Sequence, residues 1–458
     1  MAERLIVIGG DAAGMSAASQ ARRRRGPDDL EIVAFERGNF TSYSACGIPY
    51  FVGETVRDLD ELIARTPEEF EARNIAVHLR HEVTEIDLPG RRVRVVEAGG
   101  SERWEGFDHL MVATGAVPRR PNLDGADADG IFGVQTLDHG LAIKAAIEAR
   151  KPKRAVVVGG GYIGLEMAEA MVDRGIQVTL LDRNPQPMTT LDPDMGALVA
   201  DAMREMNIDV RTEQRVTGFH VTGGSVTAVA TEEGDVPADI VVLGLGVRSN
   251  VEMAEAAGIE IGDSGGIAVD RRMHTRSEGV WAAGDCAEKF HRITRKGVAF
   301  ALGTHANKEG RVAGINLGGG YAAFPGVVGT AVSKVCELEV ARTGLKETEA
   351  RAAGFEFLTT IVESTTRAGY FPGATKMKVK MTVEARSGRL LGAQIIGREG
   401  AAKRIDVLAI ALWNEMTVDD LHQVDLSYAP PFSPVWDPVL IAARKAWEMV
   451  EESLPERR

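Results

Sequence analysis

A short apolar strand that runs into a glycine-rich turn and then a helix occurs twice in this chain, and no other feature restricts the fold as much. Residues 5–8 (Leu-Ile-Val-Ile) end in Gly9-Gly10, residues 14–25 read as helix, and an apolar strand over 30–35 ends at Glu36. That is a βαβ unit. It recurs at 155–158, followed by Gly159-Gly160-Gly161-Tyr162-Ile163-Gly164, a helix to about Asp173 and a strand over 177–181 that ends at Asp182. Two such units imply two dinucleotide-binding domains of Rossmann type. Residues 110–115 read as a strand closing the first domain and 241–246 as one closing the second, while 280–285 return to the first. The second domain (116–244) is therefore expected as an insertion within the first (1–115 and 245–322). From about Tyr321 the glycine signatures give way to strand-like runs, such as 376–383 with its alternating basic and apolar residues, and to helices around 405–414 and 439–450. The expected fold class is α/β, two Rossmann-like domains with one inserted in the other, followed by a separate α+β domain over 323–458.

The 458 residues suffice for two or three domains with substantial cores. A hydrophobic content of 44% and a charged content of 26% are ordinary for a soluble globular protein. The net charge of −13 disfavours a nucleic-acid partner, because phosphate binding needs a basic surface. The one basic run, Arg22-Arg23-Arg24-Arg25, closes a helical stretch, where it suits the helix dipole or could contact an anionic cofactor or substrate tail. Three cysteines make no disulfide framework and point to a reducing compartment. With no leader pattern at the N-terminus and no apolar run long enough for a membrane span, a cytoplasmic protein without membrane contact is expected. The nine histidines show no metal-ligand spacing, and no metal is expected.

A glycine-rich turn between strand and helix lets backbone N–H groups and the helix N-terminus approach a pyrophosphate. Gly159, Gly161 and Gly164 hold the full G-x-G-x-x-G spacing, with Asp182 placed for the adenosine ribose hydroxyls as NADH requires. Arg183 beside it could attract a 2′-phosphate, which leaves NADPH open. The first turn has Gly9 and Gly14 but Asp11 where the middle glycine belongs, so its carboxylate has to point away from a pyrophosphate. Glu36 occupies the ribose-binding position. In Ala282-Ala283-Gly284-Asp285, a carboxylate after a glycine at a strand end can take a ribityl hydroxyl of a flavin.

With these motifs in this order, and Thr114-Gly115 completing an Ala-Thr-Gly segment from Ala113, the chain resembles the pyridine nucleotide–disulfide oxidoreductases over essentially its full length. The resemblance implies FAD in the first domain, NADH or NADPH in the second, a C-terminal dimerisation domain and a homodimer. It also implies cofactor contacts at Ala13, Arg37, Ile163 and Gly246, with Tyr162 moving aside and Glu166 orienting the nicotinamide carboxamide.

Cys46, in Ser44-Ala45-Cys46-Gly47-Ile48-Pro49-Tyr50, narrows the branch. The family's paired cysteine is missing, since position 51 is Phe, and no His stands in the C-terminal 426–433 segment. The chain is thus similar to the single-cysteine branch: coenzyme A disulfide reductases, NADH oxidases and peroxidases, and persulfide reductases. Oxidases and peroxidases of that branch have a His in the first glycine turn, where this chain has Ala12. Two tyrosines, Tyr370 and Tyr428, match positions that reach the active site of the partner subunit in coenzyme A disulfide reductases. Coenzyme A contacts of that branch match Gln20, Arg23, Ser42, Asn307 and Arg311, and arginines suit its phosphates. Some persulfide reductases carry an added rhodanese domain, for which this chain is too short. The implied activity is NAD(P)H-driven, FAD-dependent reduction of coenzyme A disulfide, or a related persulfide or polysulfide, through a Cys46 mixed disulfide. Tyr428 would act as general acid, and the thiolate would be favoured by nearby positive dipoles and by charge-transfer contact with the flavin. An NADH oxidase or peroxidase, or a redox-sensing flavoprotein, is the alternative. Cys336, within a strand-like stretch over 332–338, and Cys286 read as packing residues.

Overall fold

The structure, a computed structural model, describes residues 2–453. The first glycine unit lies in a five-stranded parallel sheet ordered Val280–Ala282, His109–Val112, Glu3–Ile8, Leu30–Glu36, Ala76–Leu79. Leu5, Ile6 and Val7 are fully buried, as an interior parallel strand covered on both faces requires. The chain leaves Glu3–Ile8 toward Leu30–Glu36 on one side and returns as His109–Val112 on the other. The crevice at the carboxyl end of Glu3–Ile8 is therefore a topological switch point, the place where such sheets bind ligands. Helix Ala12–Arg22 packs against helix Gly303–Leu317 over this crevice. The first of these helices stops at Arg22, short of the expected 25, because the Arg22 guanidinium turns back to donate to the carbonyls of Arg25, Leu30 and Asn74.

The second glycine unit builds its own five-stranded parallel sheet, ordered Asp209–Arg211, Gln177–Leu181, Arg154–Val158, Ile240–Leu243, Ile131–Gly133. The two segments that cross between the sheets, Ala116–Pro118 and Val247–Ser249, run as an antiparallel pair. Residues 110–115 were expected as one strand; the strand is His109–Val112, Ala113 still donates its N–H to the Ile8 carbonyl, and the chain then leaves the sheet because Thr114 and Gly115 hydrogen-bond to Asn250 instead.

The C-terminal unit is a five-stranded antiparallel sheet ordered Ala331–Val335, Leu338–Gly344, Leu390–Gly397, Lys376–Glu384, Phe357–Thr365. The expected strand over 332–338 is in fact two strands joined at Cys336-Glu337, with Cys336 in the left-handed region at φ +57°. One face of the sheet (Val379, Met381, Ile395) packs on helices Ile405–Trp413 and Pro438–Ser453. Alternation along Lys376–Glu384 suggests that its basic residues face water, but the other face is covered by the second glycine unit. Lys380, Gln394 and Arg342 are cross-strand neighbours in one row. The Lys380 ammonium, 3% exposed, contacts the carboxylates of Asp194 (2.9 Å), Asp192 (3.1 Å) and Glu347 (2.7 Å). Gln394 donates to Asp192 at 2.6 Å, and Arg342 donates to the Thr190 carbonyl at 2.7 Å. Removing Lys380 leaves the buried Asp192 carboxylate without its cation, while Asp194 and Glu347 are partly exposed, so Lys380→Met is expected to cost about 3 kcal/mol. Lys376→Met, on the same strand but in an exposed pair with Glu363 of the neighbouring strand, should leave the stability close to that of the wild type. Equal losses in denaturant unfolding would show that the row is not what holds the two units.

Candidate active site

Both glycine turns are built on one plan. Gly9 and Gly159 take φ near +100°, open only to glycine without strain, and a Cβ on either would collide with the chain leaving the neighbouring strand, at Ala113 and Gly244. Gly14 and Gly164 face the carbonyls of Gly9 and Gly159 with no room for a side chain, which draws each helix N-terminus onto its strand end. Glu36 accepts the Gly10 N–H (2.8 Å) and the Gly38 N–H (2.7 Å). Asp182 accepts the Gly160 N–H (2.7 Å), the Asn184 N–H (2.8 Å) and the Asn184 side-chain amide (2.7 Å). A carboxylate has about four lone-pair sites, so each can still accept from a ribose hydroxyl. Arg37 and Arg183, next to these acids, are exposed.

The turns differ at their middle position. Gly161 leaves open space, whereas Asp11 fills it, turns its carboxylate aside and accepts the Tyr43 N–H at 3.2 Å. Burial, with Glu36 and Asp285 nearby, pushes the Asp11 carboxyl up to about 7, so at neutral pH it is protonated in a large fraction of molecules.

Ala113, Thr114 and Gly115 follow the strand His109–Val112, with Gly115 at φ +68°. Gly246, at φ +77°, is the counterpart in the second unit and accepts the Arg119 N–H. Gly284, at φ +85°, packs on Ala13, and the neighbouring Asp285 is held up in pKa by burial. One Asp285 oxygen, Oδ1, is buried without a partner. An unpartnered carboxylate oxygen in the switch-point crevice suits a polyol hydroxyl, so the residues present fit a flavin dinucleotide.

Cys46 sits in a short 3₁₀ turn, Ala45–Gly47, just before helix Ile48–Val52. Its loop hangs on the first glycine turn: the Gly10 carbonyl accepts both the Thr41 hydroxyl and the Ser42 N–H (3.0 Å), and Asp11 takes the Tyr43 N–H. On the far side Ser44 N–H bonds to the Leu62 carbonyl at 2.8 Å. Cys46 is exposed while Cys286 and Cys336 are buried, and all three are free. Of the two causes expected to lower the thiol pKa, the dipoles of the chain do not prevail: desolvation pushes the thiol up, although the residue as a whole is exposed, and Glu166, Asp285 and Asp11 reinforce that. No cation is among the groups that move it most.

Tyr162 and Ile163 open helix Tyr162–Asp173, which also carries Glu166. Tyr162 is within 3.5 Å of the Thr190 hydroxyl. The Glu166 carboxylate accepts the Ser333 hydroxyl of the C-terminal unit at 2.8 Å, a partner the sequence did not suggest. Burial raises the Glu166 pKa.

Gln20 and Arg23 on one helix end, and Asn307 and Arg311 on its packed neighbour, form adjoining polar surfaces bridged by a Ser16–Asn307 hydrogen bond of 2.9 Å. Arg23, Asn307 and Arg311 are exposed, and Lys308 adds a further cation that sequence reasoning missed. Ser42 is half-buried at φ +50°. Tyr370 and Tyr428 lie close enough for each to act on the other's hydroxyl, and both are exposed, as are Phe432 and Trp436 a few residues on. Within one chain they are not among the groups acting on Cys46. Among the described residues no group of three or more His, Cys, Asp or Glu side chains could hold a metal ion, and no helix is long and apolar enough to cross a membrane.

Residues 3–310 match the pyridine nucleotide-disulphide oxidoreductase family, and residues 330–438 match its dimerisation domain. The chain belongs to this family of oxidoreductases. Over 443 residues, 96% of this chain and 97% of the relative, it is 38% identical to the NAD(P)H sulfur oxidoreductase (CoA-dependent) of Pyrococcus abyssi. It is 31% identical over 449 residues to the coenzyme A disulfide reductase of Staphylococcus haemolyticus, covering 97% of this chain and 100% of that protein. The solved structure of a NAD-dependent persulfide reductase from A. fulgidus superposes with a TM-score of 0.94 at 38% identity, covering 98% of this chain and 84% of that one.

Proposed function

We propose that this protein uses NAD(P)H and FAD to reduce coenzyme A disulfide, or a related persulfide or polysulfide, through Cys46. The observation that carries this reading is that Cys46 is the one exposed cysteine and its loop is bonded to the first glycine turn. FAD belongs to the domain of residues 1–115 and 245–322, NAD(P)H to residues 116–244, and dimerisation to 323–458. FAD, when bound, supplies the relay that accepts hydride from the nicotinamide and returns an electron pair to sulfur. Glu36 and Asp285 hold its ribose and ribityl hydroxyls, and Asp182 the ribose of the nicotinamide dinucleotide.

The Cys46 thiolate attacks the disulfide, forming a mixed disulfide and expelling one thiolate, which Tyr428 from the partner subunit protonates. Two electrons that originate in NAD(P)H then cleave the mixed disulfide, which regenerates the Cys46 thiolate and releases the second substrate thiolate to take a proton. Arg23, Arg311 and Lys308 offer cations to the phosphates of a coenzyme A tail. Ala12, in the first turn of its helix, offers no acid for cleaving a peroxide, which weighs against an oxidase or peroxidase. The three free cysteines fit a reducing compartment such as the cytoplasm.

The test is anaerobic stopped-flow of NADH-reduced, FAD-loaded protein against coenzyme A disulfide, polysulfide and peroxide in parallel. Reoxidation by either sulfur substrate that disappears in Cys46→Ser supports the reading. Reoxidation by peroxide alone defeats it. The buried Asp182 carboxylate opposes a 2′-phosphate while Arg183 lies exposed, so NADH is expected to exceed NADPH in kcat/KM by about tenfold or more. Asp182→Ala should narrow that ratio, mainly through the KM for NADH; an unchanged ratio would move the discrimination elsewhere.

A further inference from the structure

Beneath the Gly284-Asp285 turn lies a lysine–glutamate pair with no access to water. Lys289 and Glu309 both have fully buried side chains, and their charged ends stand 3.5 Å apart. Charge-assisted bonds of this kind are usually about 2.7–2.9 Å, so the pair is not arranged for its own attraction. The short bonds go to the turn. Lys289 donates to the carbonyls of Gly284 (2.8 Å) and Ala287 (3.0 Å), and Glu309 accepts the Gly284 N–H (2.8 Å). Both side chains thus grip the loop that presents Asp285, from inside the protein. Taking two charges out of water costs several kcal/mol per ion, and apolar residues of similar volume often serve the fold equally well. Helix Gly303–Leu317, which carries Glu309, is already fixed against helix Ala12–Arg22 by the close approach of Gly310 and Gly314 to Ala13 and Ala17. The packing there does not require a charge.

We propose that Lys289 and Glu309 are positioning residues for the flavin site, holding the Gly284–Ala287 turn so that the unpartnered Asp285 oxygen faces the ribityl chain. The inference rests on the flavin reading above. The groups that face Glu309 are Lys289 and Asp285; those that face Lys289 are Glu309, Asp285 and His305, whose Nδ1 is also buried without a partner. Burial pushes the Glu309 carboxyl up to about 7, and a neutral Glu309 still accepts from the Gly284 N–H through its carbonyl oxygen. Holding the turn therefore needs the acceptor atom more than the negative charge.

The experiment compares Glu309→Gln, Glu309→Leu and the double variant Lys289→Met/Glu309→Leu with the wild type. For each, the dissociation constant of FAD from deflavinated protein, the visible spectrum of the bound flavin and the unfolding temperature of the deflavinated protein are measured. Glu309→Gln, which keeps the acceptor, should bind FAD within about threefold of wild type, where 1.4 kcal/mol is tenfold. Glu309→Leu and the double variant should bind it at least about tenfold more weakly and shift the spectrum, with the unfolding temperature of the double variant unchanged or higher. If Glu309→Leu and Glu309→Gln bind FAD equally, or the double variant binds it like wild type, the positioning role is wrong. If the double variant does not fold, the leucine–glutamine comparison still decides. A wild-type protein that binds no FAD defeats the flavin reading itself, and this proposal with it.

Discussion

Cys46→Ser is expected to lower turnover with coenzyme A disulfide or polysulfide on the order of 10³-fold or more, since no other group can form the mixed disulfide. Cys286 and Cys336 are buried among core residues and cannot substitute. FAD should remain bound with near-native affinity, because the bonds that tie the loop to the first glycine turn run through Thr41, Ser42 and Tyr43 and leave the sulfur free. Rapid-quench assay of the variant against each sulfur substrate, with flavin content from absorbance, checks both halves. Retained turnover would assign the chemistry to the flavin alone. The raised thiol pKa adds a pH signature: with burial as its main cause, the thiolate fraction and the rate should still be rising above pH 8. A rate already flat at neutral pH would show that the bound flavin or the partner subunit supplies the missing positive field.

The second large effect belongs to Asp11. Its pKa in the folded chain, about 7, lies above the ordinary value of 3.8, so between those pH values the folded protein holds a proton that the unfolded chain has lost. Stability from this group therefore falls as pH rises through that window and stays low above it. A displacement of that size is worth roughly 4 kcal/mol. Asp11→Asn keeps an acceptor for the Tyr43 N–H and cannot ionise. The deflavinated variant should unfold several degrees above wild type at pH 8 and at nearly the same temperature at pH 4. Its FAD affinity at pH 8 should also rise, since an ionised carboxylate, even turned toward Tyr43, no longer stands beside the pyrophosphate position. Calorimetry at the two pH values is decisive; a difference independent of pH would attribute the effect to packing.

Much of this site is legible from residue order. Strand, glycine spacing and terminal acid are local, and they locate Glu36 and Asp182 because βαβ geometry fixes where the second strand ends. Local pattern does not say which face of a later sheet another unit covers, so the buried Lys380 reads like any solvent-facing lysine. Lys289 and Glu309 meet only through the fold, on segments that carry no motif. Cys336 looks like part of a strand because its neighbours are apolar; its left-handed conformation follows from the pairing of Val335 with Leu338. The balance of charge around the Cys46 thiol is hidden from the sequence for a related reason. A turn and a helix start beside it suggest positive dipoles, while the carboxylates that oppose them come from distant stretches at 11, 166 and 285.

The row formed by Lys380, Gln394 and Arg342 has a kinetic consequence. It bolts the loop of residues 187–194 to a sheet that the family match assigns to dimerisation, so the unit proposed above for the reduced nicotinamide cannot swing during a cycle without breaking the buried Lys380–Asp192 pair. On that proposal gating falls to single side chains, with Tyr162 the one the family resemblance implies. The rate should be limited by entry and exit at a standing slot, insensitive to solvent viscosity beyond that of ligand diffusion.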